Sequence, residues 1–234
     1  MQSIFGHPRH AYLRQPLAIA ALLLLAACGG VKVRPDYELP KPLMQPMAAR
    51  AGLVLDESLR RYVHEETRAG GNWKIDLGPG HEKLFRSMFG ASFQTLEVFN
   101  DLETARAATG LQAIFEPSIE QFSFVTARET ASSYWAVTLR YRIEVLDPAG
   151  GQVDALTLNG YGSALGTRGT EGSLIAATHS AMRDAASKFL VQMPRQSLAQ
   201  KLVAGQPLSS ADRAVVKVDI VEAVPIEPEP NPAG

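Results

Sequence analysis

An intrachain disulfide is excluded by count, because the 234-residue chain holds a single cysteine, Cys28. One thiol can form neither an intrachain disulfide framework nor a thiolate zinc site. Histidine is scarce too, with five in all. Neither sign of charge dominates: 23 basic residues stand against 24 acidic ones, for a formal net charge of −1. A chain so balanced lacks the electropositive footprint of a nucleic-acid binder. No internal repeat is visible. The apolar run Leu17–Leu25 falls far short of the roughly 20 residues needed to span a bilayer. A nucleophile elbow, a phosphate-loop lysine and dinucleotide-binding glycine spacing are all missing as well.

What is present is concentrated first at the N-terminus. Arg9 and Arg14 precede the apolar run, and no acidic residue occurs before Cys28. Leu25-Ala26-Ala27-Cys28 closes the segment. Small Ala26 and Ala27 fit a peptidase groove, and the Cys28 thiol is positioned to take a diacylglycerol thioether. This arrangement resembles the lipoprotein signal peptides of bacteria, in which the cysteine becomes the lipidated first residue of the mature chain. The alternative is an ordinary signal peptide, or a short anchor helix, with a chance cysteine. Acyl chains bound at about 0.8 kcal/mol per buried CH₂ make such attachment effectively permanent. Gly29 stands where the family's inner-membrane retention signal has aspartate, so the resemblance implies the outer membrane, facing the periplasm.

The remaining chain divides by composition. Residues 1–27 are the expected signal peptide, and 28–50 a lipidated, proline-rich tether in which Pro35, Pro40, Pro42 and Pro46 forbid helix. Residues 51–204 are expected to form one domain, and 205–234 a polar tail whose end, Pro225 to Pro232, reads as disordered. Ala51–Leu55 reads as a strand, with Asp56 capping a helical turn through Val63. Gly70–Gly80 reads as an edge strand or a strap. A helix is predicted from His81 to about Phe93, a strand over Thr95–Phe99 and a short helix over Leu102–Ala108. Leu111–Phe115 and Phe122–Val125 are apolar, with an alternation that shifts near Glu120-Gln121 as a bulge would shift it. Trp135, Val137, Leu139, Tyr141, Ile143 and Val145 alternate with Thr138, Arg140, Arg142 and Glu144. With the Asp147–Gly151 turn and the return over Val153–Ala164, they predict a long antiparallel hairpin with one buried face. Ser173 is a candidate cap for a last helix whose stripe is Ile175, Thr178, Met182, Ala185, Ala186, Phe189 and Met193, stopped at Pro194. Val215–Val221 is a further candidate strand. The predicted fold is α+β: an antiparallel sheet of about four to five strands with two or three helices packed on one face.

Candidate chemistry is sparse. His64-Glu65-Glu66 is the most polar cluster, but no second histidine stands at the metal-binding i+4 position, and a solvated helix end accounts for it. His81 follows Gly-Pro-Gly at a helix start, and His179 flanks the last helix's stripe. Ser132 and Ser133 have no histidine pattern nearby. Gly160-Tyr161-Gly162 reads as a bend or close backbone approach within a strand. Arg140 and Arg142 share the polar face of the central strand, where they either meet an anionic glycan, headgroup or partner or simply keep that face soluble. No catalytic residue, metal site or cofactor is expected.

From Trp135 onward the order is hairpin, glycine-rich loop and alanine-rich helix. Val137–Ile143, the Gly150-Gly151 turn and the stretch from Ala176-Ala177 to Phe189-Leu190 resemble, in outline, periplasmic lipoprotein domains of the YajG and CsgG N-terminal kind. That resemblance implies a non-enzymatic component of envelope transport, secretion or assembly, with a membrane contact through its lipid and an envelope protein as partner. A module binding peptidoglycan, lipopolysaccharide or lipid is the alternative, and a lipoprotein hydrolase a third class that lacks a visible nucleophile.

Overall fold

The structure, a computed structural model, describes residues 31–35, 44–68 and 71–212. Cys28, the candidate strand Val215–Val221 and the proline-rich end lie outside them. Strands β1 (Val31–Val33), β3 (Val63–Arg68) and β4 (Gly71–Asp76) form a small sheet ordered β1-β4-β3. Strands β2 (Met47–Val54), β5 (Phe93–Phe99), β6 (Ala113–Val125), β7 (Tyr134–Leu146) and β8 (Gln152–Leu165) form a larger one ordered β5-β2-β6-β7-β8. Five α-helices accompany them among the described residues: α1 (Glu57–Arg60), α2 (Gly78–Ser92), α3 (Leu102–Ala107), α4 (Gly169–Gln192) and α5 (Ser197–Val203). The α+β class is as expected.

The β6–β7–β8 half of the large sheet is the antiparallel meander its alternation predicts, and the register of β6 on β7 shifts between Ile119 and Gln121, where the bulge was expected. The other half is parallel, since β2 pairs in parallel with both β5 and β6. The sheet is therefore mixed, because α2 carries the chain back between β2 and β5 as a crossover helix.

One face of the large sheet holds the core. Phe89 packs on Phe115 and Phe189, with ring centroids 5.0 and 4.9 Å apart, and Phe93 on Phe115 at 5.2 Å. Helices α2 and α4 cover the middle of this face, and the small sheet covers one end, where Trp73 meets Phe124 at 5.0 Å and Trp135 at 5.9 Å. Short α3 lies on the opposite face, over Val54, Leu111, Ile114 and Leu146. Helices thus occupy both faces, not one, because these four apolar side chains interrupt an otherwise polar surface.

Several boundaries move. The expected tether contributes β1 and the start of β2, and it buries Val33, Pro35, Met47 and Ala49. Proline forbids helix but leaves extended backbone open, and Val31/Val33 and Met47/Ala49/Ala51 already carry a period of two. Segment 71–76 is the central strand of its sheet, not an edge. Asp56 does cap α1, accepting from the Leu59 N–H at 2.9 Å, but the helix stops at Arg60. Ser173 does not cap α4; it is buried in the second turn and donates to the Leu165 carbonyl at 3.1 Å. Thr178, Met182, Ala185, Phe189 and Met193 of the expected stripe are buried and Ile175 and Ala186 half-buried, while Leu174, Ala177 and Ala181 widen the buried face of α4 on one side. The start of the tail is also packed: Leu208 is buried, its N–H bonding the Gln112 carbonyl at 2.8 Å.

Candidate functional site

Strand alternation places Arg140 and Arg142 on the face of β7 turned away from the core, as expected, but their surroundings differ. The Arg142 Nε donates to Glu144 Oε1 at 2.5 Å, and this bond holds the guanidinium above its ordinary pKa. Gln152 occupies the other oxygen of Glu144. Among the described residues Arg140 meets only an amide, donating from Nε to Asn159 Oδ1 at 3.2 Å. Its charge is therefore available to a partner while that of Arg142 is largely matched. Nearby on β6, burial raises the Glu116 carboxyl, helped by the charges of Asp56 and Glu144. The outer face is a mixed-charge surface and not a cationic patch.

His64-Glu65-Glu66 is not a helix end but part of β3, and strand alternation splits the cluster. Glu65 points out and pairs with Lys74 across the sheet at 2.5 Å, which lowers its pKa. His64 and Glu66 point toward the seam between the sheets. There His64 Nε2 lies 3.2 Å from Glu66 Oε2 and its ring 4.9 Å from that of Phe122. Arg68 continues the chain, 3.5 Å from Glu66 and 3.1 Å from Glu129, while also donating to the Phe124 carbonyl and covering the Phe124 ring at 5.1 Å. The Glu129 carboxyl is lowered, first by the Thr126 N–H. The result is a polar strut joining β3 to the β6–β7 connection.

His81 is fully buried in the first turn of α2, its ring 5.4 Å from that of Tyr141 at 88° and 5.8 Å from Tyr62. Neither imidazole nitrogen nor the Tyr141 hydroxyl finds a hydrogen-bond partner among the described residues. Burial pushes His81 down to about 3 and Tyr141 up, so both rings are neutral at physiological pH. This pair was not singled out from the sequence, although His81, Leu84, Phe85 and Met88 fall on one helical stripe and Tyr141 on the inward side of β7. Ser132 contacts Thr130 Oγ1 at 2.7 Å and the Tyr134 N–H at 3.1 Å, with no histidine beside it. His179 is half-buried on α4, at the boundary of its stripe. Among the described residues no group of three His, Cys, Asp or Glu side chains converges on a metal position, and no helix is long and apolar enough to cross a membrane.

No protein-family model matches the sequence, and no curated protein matches it. The likeness to YajG-like and CsgG N-terminal domains therefore rests on the sequence outline alone. Among solved structures, the fold is similar to that of a protein assigned as a lipoprotein from Caulobacter crescentus CB15, with TM-score 0.34 and 13% identity over 53% of this chain and 80% of that one. It is also similar to the hypothetical protein CT253 from Chlamydia trachomatis, with TM-score 0.41 and 10% identity over 68% of this chain and 100% of that one. A third is lipoprotein GNA1162 from Neisseria meningitidis, with TM-score 0.32 and 10% identity over 63% of this chain and 99% of that one.

Proposed function

We propose that this chain is a non-catalytic lipoprotein of the bacterial outer membrane, held by lipid on Cys28, which serves as an accessory or scaffold subunit of an envelope transport, secretion or assembly complex. The observation that carries the reading is the coincidence of a basic n-region, a short apolar run and Ala26-Ala27-Cys28, ending at the only thiol in the chain. The outer face of β6, β7 and β8 supports it, as a broad polar surface on which Arg140 meets no carboxylate among the described residues. Such a face suits a protein partner better than a small molecule, which binds in an enclosed pocket.

Crosslinking in intact cells, followed by purification from outer membrane, tests this reading, with Cys28→Ala as control. One reproducible envelope partner is expected, lost with the anchor and weakened by Arg140→Glu. A clean bait, with no envelope process altered when the protein is removed, would refute the scaffold role. The availability of Arg140 also favours a second reading, a module for peptidoglycan, lipopolysaccharide or another anionic envelope ligand. Saturable binding of such a ligand, abolished by replacing Arg140, would select it.

A further inference from the structure

We infer that the domain rests directly on the lipid surface through one end, formed by the β6–β7 connection and the adjoining ends of β7 and β8. The inference depends on the reading of Cys28 as the lipidated residue. Two separate observations point to the same end of the molecule.

The first is the length of chain after the anchor. β1 begins at Val31, and three Cα–Cα steps from Cys28 reach no more than about 11 Å. The polar layer of one leaflet is itself about 5–8 Å deep. Whatever lies beside Val31 is therefore held at the headgroups. Val31 pairs with Trp73, and the Trp73 ring meets Phe124 at the end of β6 and Trp135 at the start of β7.

The second is what that end exposes. Tyr134 and Leu165 are cross-strand partners, 53% and 47% exposed, and Tyr161 lies four residues back along the same face of β8 at 58%. The remaining large exposed hydrophobics among the described residues, Val191 and Val203, stand singly on α4 and α5. Arg128 and Arg168 flank the group, exposed and without a carboxylate partner among the described residues, and Glu129 is already matched by Arg68. Exposed Glu171 is the nearby counter-charge. Tyrosines beside arginines, with one aliphatic side chain, are what a phospholipid interface selects: an amphipathic ring at headgroup level and a cation for the phosphates.

The test uses the full lipidated chain in vesicles of phosphatidylethanolamine and phosphatidylglycerol carrying a nitroxide-labelled lipid. Lipidation blocks the Cys28 thiol, so a single introduced cysteine can carry a fluorophore. Ser132→Cys places the fluorophore in the β6–β7 connection, and Ala149→Cys in the turn at the far end of β7, about 40 Å away at roughly 3.4 Å per residue. Strong quenching at position 132, weak quenching at 149, and a reduction at 132 on adding Tyr134→Ser with Leu165→Ser are expected. Equal quenching at the two positions, or indifference to the double substitution, overturns the orientation. So does protection of position 132 by a second copy or another protein. If instead unlabelled chain fails to partition into membranes in a Cys28-dependent way, the anchor reading itself has failed, a distinct result.

Discussion

His81 and Tyr141 show how one buried contact can set a pH response. The folded His81 titrates near 3 against 6.5 for an ordinary histidine, the shift arising from burial. Between those values the unfolded chain binds the extra proton. The contribution is thus fully present above about pH 6.5 and is lost as pH falls, at about 1.4 kcal/mol per pH unit. Denaturant midpoints measured from pH 7 down to pH 4 are expected to fall less steeply for His81→Phe than for the parent chain. Equal slopes would show that another group carries the loss. Asp147 acts with the same sign by another route. Burial alone would raise its carboxyl, but hydrogen bonds from Ser210, Gly151 and Ala149 hold it below the usual range. The histidine stripe was readable from spacing. That three polar atoms of the pair lack partners among the described residues was not, because it depends on which side chains close over them.

At the scale of elements, α4 and β8 fit backbone to backbone. A Cβ added at Gly162 would lie 2.1 Å from the Ala177 carbonyl oxygen, and one at Gly160 would lie 2.2 Å from that of Ala181. Gly162→Ala is therefore expected to cost at least about 1–3 kcal/mol by forcing helix and sheet apart. Gly90, in the interior of α2, has nothing within 4 Å of its Cβ position, so Gly90→Ala should gain about 0.5–1 kcal/mol. Thermal unfolding of both variants checks this pair of opposite signs. The close approach was legible as glycines inside a strand; that Ala177 and Ala181 of α4 fill it was not, and these two widen the buried face of the helix beyond the expected stripe. α4 also closes an open edge. Among the described residues β8 has only β7 beside it, yet the Tyr161 N–H donates to Asp184 at 2.9 Å and Lys188 donates to the Asn159 carbonyl at 2.9 Å. Removing both side chains, Asp184→Ala with Lys188→Ala, should free strand-pairing groups and raise self-association in sedimentation runs. An unchanged monomer fraction would mean that the helix backbone alone protects the edge.

For the molecule as a whole, the folded unit begins earlier than composition suggests. A chain starting at residue 51 lacks β1, half of β2 and the buried Val33, Met47 and Ala49. Relative to one starting at residue 29, it should unfold at markedly lower denaturant and lose hydrogen-exchange protection in β4. Equal stability would return residues 31–50 to the role of a tether. The same early start puts β1 three residues after Cys28, so under the proposed anchoring it would govern how the domain meets the membrane as well as how it folds.

Local pattern determined the α+β class, the β6 bulge and the long hairpin, because each follows from periodicity within about 15 neighbouring residues. Tertiary structure alone decided the parallel pairing of β2 with β5 and β6, the helix on the second face and the splitting of His64-Glu65-Glu66 across a strand. In each of those cases the outcome depends on a side chain or strand brought in from a distance, or on which face a strand turns to its neighbours, and local periodicity does not carry that information.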